Sequence, residues 1–417
     1  GESTVSKILD LVENASSKKS KSENFITKFA AYYTPAVVLI AVILVIVPPL
    51  VLEEATFSEW IYRALSFLVV SCPCALVISV PLSFFGGIGG ASKVGVLVKG
   101  SNYLEALANT EITVFDKTGT LTKGVFEVQQ IHPVEISKEK LLETAAYAEY
   151  YSNHPIAQSI KKAYGKEIQE SRILQTQELS GLGIEANIDS KTVLVGNEKL
   201  LTEKQISYEP CKEIGTVLYV AIEGKYAGYI LIADSIKADA KSTILELKKN
   251  HIKQAVMLTG DKKEVGEKVA KEIGMDVVYS ELLPADKVEK VEELLQKKSA
   301  KGKVAFVGDG INDAPVLTLA DIGIAMGGLG ADSAIEAADV VLMTDEPSKI
   351  LQAIQIAKKT MRIVKENIVF AIAVKIGVLI LTAFGLSTMW QAVFADVGVS
   401  VIAILNALRA LNVKVRK

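Results

Sequence analysis

The stretch EITVFDKTGT, residues 111–120, places a reactive carboxylate directly after a short apolar run. The run 111–115 predicts a buried strand, so DKTGT (116–120) begins at the carboxyl end of that strand. An Asp116 carboxylate backed by Lys117 suits nucleophilic attack on phosphorus, because an acyl phosphate divides a difficult transfer into two easier steps. The small residues after it let backbone N–H groups approach phosphate oxygens. The stretch therefore predicts a phosphoryl-transfer site on an α/β sheet.

Further along the chain, short apolar runs alternate with helical patterns. These predicted strands are QAVML (254–258), KVAFV (303–307), DIGIAM (321–326) and DVVLM (339–343). Such alternation is typical of a parallel sheet with helices on both faces. Two of the runs lead into acidic motifs, Thr259-Gly260-Asp261 and GDGIND (308–313). Ligands of these folds bind at the carboxyl ends of strands, so we expect these acids to converge with Asp116 on one site.

The motifs supply a complete set of groups for phosphoryl transfer. Lys287 and Thr259 can neutralise and hydrogen-bond phosphoryl oxygens. The carboxylates of Asp116, Asp309 and Asp313 are ligands that suit Mg²⁺. The residues expected to take part in the chemistry are Asp116, Lys117, Thr118, Thr259, Gly260, Asp261, Lys287, Asp309, Asn312 and Asp313.

Between Gly124 and Ala233 the pattern changes to paired strands. The segment VLYVAIEGKYAGYILIA has a glycine turn between two apolar runs, which predicts a hairpin and an inserted second domain. SNHP (152–155) and ELSGLGI (178–184) lie within this insertion. A His-Pro pair on its own is typical of a helix start.

Four apolar runs, 35–52, 61–88, 368–386 and 390–408, are long enough to cross a bilayer. The alternative is four buried core helices, which their length and near-absence of charge disfavour. Lys and Arg cluster after the second run, before the third and after the fourth, whereas the loop after the first run is acidic. Because such an excess marks the cytoplasmic side, we expect both termini and the central region there.

The amino-acid composition excludes several classes of protein. The 417 residues include 46 Lys plus Arg and 48 Asp plus Glu, a net charge of −2, which argues against a nucleic-acid binder. Half of the residues are hydrophobic, and the mean hydropathy of +0.31 excludes a disordered chain. Three cysteines do not make a disulfide framework.

Two of these cysteines flank a proline inside the second run, as Cys72-Pro73-Cys74. Proline opens the helix, and two thiolates select soft ions such as Zn²⁺, Cd²⁺ or Cu⁺. The alternative is a pair of small buried residues at a kink. Lys375 and Asp396 are single charges in the third and fourth runs, where charges are usually functional and paired. Asp396 can add an oxygen ligand for a divalent ion, with Lys375 as counter-charge, although Lys375 could instead snorkel.

Together, DKTGT, TGD and GDGIND resemble the phosphorylation domain of a P-type ATPase, on a haloacid-dehalogenase-like fold. The CPC motif, with Asn367, Ala371 and Lys375 on one span and Asp396-Val397-Gly398 on the next, resembles the zinc-, cadmium- and lead-exporting branch. Copper exporters carry a Tyr-Asn pair and a Met- and Ser-rich last span instead. A copper(I) exporter and an inactive nucleotide-binding membrane protein remain the alternatives.

The resemblance implies a multi-domain α/β protein with membrane helices. The expected parts are a linker helix (1–34), two spans with CPC (35–92), a Rossmann-type phosphorylation domain (93–125 and 234–350), an inserted α+β nucleotide-binding domain (126–233), and two spans with a tail (351–417). It assigns ATP contacts to His154, Pro155, Glu178, Gly181, Gly183 and Asn197. It assigns Mg²⁺ to Asp116, Thr118 and Asp309. The transported ion, Zn²⁺, Cd²⁺ or Pb²⁺, is expected at Cys72, Cys74 and Asp396.

The resemblance also implies location and partners. We expect a multi-pass protein of the plasma (inner) membrane, with lipid, ATP and a soft divalent ion as partners and no nucleic acid. The sequence begins in the middle of a helical pattern, without the actuator domain and first spans that a pump of this type has. That N-terminal part of the same pump is therefore an expected partner.

Overall fold

The computed structural model describes residues 21–52, 55–211, 213, 215–309, 313–327, 336–383 and 388–412. Its helices are α1 (Lys21–Val51), α2 (Phe57–Ser71), α3 (Cys74–Lys93), α4 (Ser101–Ala108), α5 (Lys138–Ala148), α6 (Pro155–Tyr164), α7 (Glu198–Glu203), α8 (Ala240–Lys249), α9 (Lys263–Ile273), α10 (Pro284–Lys297), α11 (Ala314–Leu319), α12 (Ser348–Ala383) and α13 (Met389–Leu408). Its strands are β1 (Val96–Val98), β2 (Thr110–Asp116), β3 (Thr122–Pro133), β4 (Ile173–Leu179), β5 (Gly183–Ile188), β6 (Lys191–Gly196), β7 (Thr216–Ile222), β8 (Lys225–Ile236), β9 (Gln254–Leu258), β10 (Val277–Tyr279), β11 (Lys303–Gly308), β12 (Ile322–Ala325) and β13 (Val340–Leu342).

The chain divides into two compact units. The first contains the chain up to residue 114, residues 246–254 and the chain from 284 onward; the second contains residues 115–245 and 255–283. The predicted domain boundaries stay predictions.

The first unit contains five strands in the order β1-β13-β12-β11-β2. Strands β11, β12 and β13 run parallel, and β1 is antiparallel to β13 at the edge. The β-branched and aromatic residues of these strands, such as Val304, Phe306 and Ile324, are fully buried. Burial on both faces explains why the sequence shows continuous apolar runs instead of alternation. The predicted strands at 303–307, 321–326 and 339–343 and their parallel arrangement are confirmed here.

The second unit contains the parallel pair β9 and β10 and a six-stranded antiparallel sheet in the order β3-β8-β7-β6-β5-β4. The predicted hairpin is confirmed as β7 and β8. Its turn residues Glu223 and Gly224 both have positive φ, 51° and 73°. A two-residue turn of this type matches the twist of the flanking strands, and glycine tolerates its second position.

Three segments of the described residues are long and apolar enough to cross a membrane: 31–51, 57–93 and 393–411. The third predicted span, 368–386, lies on α12, which ends at Ala383, and its last three residues fall outside the described part. The second segment is broken between α2 and α3 at Cys72 and Pro73, because proline cannot continue the hydrogen-bond ladder.

Polar contacts join α12 and α13. The buried Asn367 amide on α12 donates to the Ala403 carbonyl of α13 at 3.0 Å and accepts from Asn406 at 2.9 Å. Small residues, Ala75 and Ala371 among them, form an apolar cluster beside these contacts. Small side chains and interhelical hydrogen bonds are the means by which helices associate in lipid.

Candidate functional site

Asp116 is the last residue of β2, and its relative exposure is only 6%. The chain then makes a sharp turn over Lys117–Leu121, in which the dihedral angles of Thr118 and Gly119 are not helical and Gly119 has a φ of +72°. A side chain at that φ would be strained, so glycine lets the backbone turn sharply behind the carboxylate. The strand-end position predicted for Asp116 is confirmed, whereas its chemical role stays a prediction.

Lys117 lies between two carboxylates in the second unit. Its Nζ is 2.5 Å from Asp261 Oδ2 and 3.7 Å from Asp234 Oδ2, and its side chain is almost fully buried. A buried cation of this kind is stable only when paired. The contact joins the DKTGT and TGD motifs, which are 144 residues apart in sequence.

Asp234 and Lys237 complete this arrangement, and neither was predicted from the sequence as a site residue. Thr122 Oγ1 donates to Asp234 at 2.5 Å, and Lys237 Nζ donates to the Gly119 carbonyl at 2.7 Å. Both residues lie at the end of β8, where the chain leaves the antiparallel sheet. The sequence signal that could have identified them is an acidic and a basic residue at the predicted boundary between the inserted domain and the phosphorylation domain.

The TGD motif follows β9 directly. Thr259 is buried, and its Oγ1 accepts a hydrogen bond from the Asp261 N–H at 3.1 Å. This contact holds the loop in a tight turn and directs Asp261 to Lys117.

The remaining residues predicted to take part in phosphoryl transfer belong to the first unit. Lys287 Nζ lies 2.9 Å from Asp313 Oδ1; the Asp313 side chain is buried and that of Lys287 is 13% exposed. A Cβ on Gly308 would lie 2.8 Å from Asp313 Oδ2, so glycine at the end of β11 gives that carboxylate its space. Asp309 is exposed, and Asn312 lies outside the described residues. The convergence of these residues with Asp116 stays a prediction.

His154 begins α6 as its N-cap, with Pro155 as the first helical residue. The imidazole Nδ1 accepts a hydrogen bond from the Ile156 N–H at 3.3 Å. Lys161 holds the preceding loop by donating to the carbonyls of Tyr150 at 3.0 Å and Ser152 at 2.8 Å. The helix-start interpretation is therefore confirmed, and it leaves Nε2 of the ring available for a ligand.

The glycine-rich segment forms a close-packed corner. Asn197 donates to the Gly181 carbonyl at 2.8 Å and caps α7 with its side-chain oxygen. Gly183 has a φ of +146°, and a Cβ there would overlap the Val195 carbonyl. Glycine is required at this corner because the two backbones approach each other directly.

Glu149 is a buried acid beside this segment, with 7% exposure. Burial raises the pKa of its carboxyl; a Ser152 hydrogen bond and the Lys161 charge oppose this shift, and the nearby Glu178 charge adds to it. Glu149 therefore interacts with Ser152 of the SNHP loop and lies near enough to Glu178 to feel its charge. Glu149 does not stand out in the sequence because it follows an ordinary helical pattern.

The intramembrane residues meet around the helix break. Lys375 Nζ lies 2.9 Å from Asp396 Oδ1 and also donates to the Cys72 carbonyl. The Cys74 thiol contacts Cys72 and lies close enough to interact electrostatically with Asp396 and Lys375. A cavity of about 290 Å³ adjoins this group and is lined by Tyr33, Pro73, Leu76, Lys375, Asp396 and Val399, among others.

These side chains do not form a preassembled metal site. Within the described part of the chain, no group of three or more His, Cys, Asp or Glu residues is arranged to hold an ion. Asp396 is instead held by Lys375, which neutralises it in an otherwise apolar setting.

Comparison with known proteins agrees with this geometry. Residues 111–321 match a family described as haloacid dehalogenase-like hydrolase. The chain is 61% identical to the cadmium, zinc and cobalt-transporting ATPase of Bacillus subtilis (strain 168), over 99% of this chain and 59% of that protein. It is 53% identical to the zinc-transporting ATPase of Synechocystis, over 98% and 57%. A crystal structure of a zinc-transporting PIB-type ATPase in the E2·Pi state superposes with a TM-score of 0.82 at 37% identity, over 99% of this chain and 68% of that one.

The chain therefore has the haloacid dehalogenase-like fold that its strand-end aspartate indicates. Within that class it belongs to the heavy-metal, PIB-type P-type ATPases, and it is an integral membrane protein. It spans 57–59% of the length of the two curated relatives described.

Proposed function

We propose that the chain performs ATP-driven export of Zn²⁺ and Cd²⁺, and of Pb²⁺, through an aspartyl phosphate on Asp116. In the first step a carboxylate oxygen of Asp116 attacks the γ-phosphorus of ATP. The new O–P bond forms as the bond to the β-phosphate oxygen breaks, and ADP leaves with the electron pair. Lys117, Thr259 and Lys287 stabilise the charge on the transferred group.

The donor set fits Mg²⁺, because Asp116, Asp309 and Asp313 offer carboxylate oxygens and Asp309 is exposed at the end of β11. When bound there, Mg²⁺ would neutralise phosphate charge. We place ATP recognition at His154, Glu178, Gly181, Gly183 and Asn197, which belong to the same unit as Asp116.

The Lys375–Asp396 ion pair beside Cys72 and Cys74 is the observation that carries the choice of metal. Two thiolates and a carboxylate suit a divalent borderline ion, and Lys375 offsets the surplus negative charge. The names of the relatives support zinc and cadmium over copper(I). The cycle also uses the N-terminal part of the pump, and the soluble regions face the cytoplasm.

We expect Zn²⁺ and Cd²⁺, but not Cu⁺, to stimulate ATP hydrolysis by the full-length pump. The measurement is phosphate release in proteoliposomes with each metal buffered at equal free concentration, with Mg²⁺ alone as the baseline. Stimulation by Cu⁺ without a response to Zn²⁺ or Cd²⁺ would establish the copper alternative instead.

His154→Ala should weaken phosphorylation by ATP while leaving phosphorylation by inorganic phosphate largely intact, because the ring serves the nucleotide and not the reacting aspartate. His154→Asn is the matched control, since asparagine preserves the helix cap. Both variants should lose ATP affinity, and only His154→Ala should lose about 1 kcal/mol of stability. Full ATP affinity in His154→Asn would reduce the role of His154 to capping.

A further inference from the structure

A wide groove of about 950 Å³ runs along α12 in the first unit. It extends from the C-terminal end of α4 at Ala108 and Asn109 along one side of α12 to Ala373. The groove therefore passes from the basic segment before the third predicted span into that span. Its two ends differ in chemistry.

The upper end of the groove, which is the part lined by residues 358–365 of α12, is cationic. Lys358, Arg362 and Lys365 recur at helical spacing, and all three line it. Lys358 is already engaged, since its Nζ donates to the Asn250 carbonyl at 2.5 Å. Arg362 and Lys365 are exposed, and no ion pair joins either of them to another residue of the described ranges.

Glu366 is the acidic residue that lines the groove, and it contacts Arg409 and Asn406 instead of Arg362 and Lys365. Glu366 Oε2 lies 3.5 Å from Arg409 and accepts from Asn406 at 3.3 Å. It therefore leaves the charges of Arg362 and Lys365 uncompensated on the groove side.

The lower end of the groove is apolar and open. Val369 is 67% exposed and Phe370 is 38% exposed, with Ala373 one turn further on. At 1.5 Å per residue, Phe370 lies about 7.5 Å along the axis from Lys365. That separation matches the roughly 5–8 Å between the headgroup layer and the hydrocarbon core of a bilayer.

We propose that this groove binds an anionic phospholipid, with its headgroup phosphate between Arg362 and Lys365 and an acyl chain along Val369, Phe370 and Ala373. Basic pockets beside membrane helices on the cytoplasmic side recognise such headgroups. The cationic upper end fits an anionic headgroup and the exposed apolar lower end fits an acyl chain, so together they favour a molecule that has both parts. The inference depends on the membrane placement of α12 and not on transport.

The test is native mass spectrometry of the full-length pump released from phosphatidylcholine nanodiscs with and without phosphatidylglycerol. We expect retained phosphatidylglycerol, with affinity about thirtyfold lower in Arg362→Gln/Lys365→Gln. Arg362→Lys/Lys365→Arg should retain the lipid. Lys297→Gln/Lys301→Gln removes the same charge from exposed positions outside the groove and should bind normally.

Three outcomes would overturn the proposal. Equal retention by the wild type and the neutralised variant would show a general surface effect. Equal retention of phosphatidylcholine would show that the charges do not select the lipid. If free inorganic phosphate displaced the lipid and Phe370→Ala left lipid retention unchanged, the groove would be a simple anion site.

Discussion

Asp116→Asn should abolish the covalent phosphoenzyme. Incubation with γ-labelled ATP and Mg²⁺ should give the wild-type protein a label that is stable to acid and labile to hydroxylamine, as an acyl phosphate is. The variant should carry only background label, because an amide oxygen cannot act as the nucleophile in its place. Phosphorylation by inorganic phosphate should be lost as well, since both reactions form the same bond.

Glu203→Gln is the matched control for this experiment, since it converts an exposed carboxylate on α7 to an amide. It should label like the wild type. Label that persists in Asp116→Asn, or label that resists hydroxylamine in the wild type, would contradict the assignment. The melting temperature of Asp116→Asn distinguishes loss of the nucleophile from misfolding. We expect it to match that of the wild type, because the substitution preserves the size of the side chain at a buried strand end.

The ends of the strands were predictable from the sequence because short stretches of neighbouring residues mark them. An apolar run of five residues before a carboxylate marks β2, and the Glu223-Gly224 turn marks the β7–β8 hairpin. Both features depend on residues that are neighbours in sequence. The same is true of the His-Pro helix start at α6.

The partners of the site residues were not predictable in this way. Lys117 contacts Asp234 and Asp261 only because the chain returns to β2 after forming an entire antiparallel sheet. The burial of Glu149 likewise depends on the packing of elements that are distant in sequence. Sequence spacing indicates which residue types are present, and the fold decides which of them touch.

Lys375 is the instructive case within the membrane. Its pairing with Asp396 follows from the physical cost of isolated charges in an apolar span, so the sequence indicates it. Its second contact, with the Cys72 carbonyl 303 residues away, follows from the helix break. Proline removes a backbone donor at that break and leaves carbonyls without helical partners. The ammonium group thus holds both the carboxylate and the opened backbone beside the two thiols.

This arrangement leads to the second large expected effect, which is on metal selection. Asp396→Ala should abolish Zn²⁺ and Cd²⁺ stimulation of ATPase activity in the full-length pump, because two thiolates alone favour a low-coordinate monovalent ion. Direct binding, measured as metal retained per protein after desalting, should fall in parallel. Removing either thiol should have the same effect, since too few soft ligands remain.

Lys375→Ala should separate binding from turnover. The variant keeps both thiols and the carboxylate, so it should still retain Zn²⁺, but it loses the cation that competes for Asp396 as the metal leaves. We therefore expect metal bound at equilibrium with slowed ATP hydrolysis. Glu59→Gln, which alters an acid paired with Arg63 at the start of α2, should change neither quantity. Undiminished Zn²⁺ response in Asp396→Ala would remove the carboxylate from the site, and the ion pair would then serve only to neutralise two charges within the membrane.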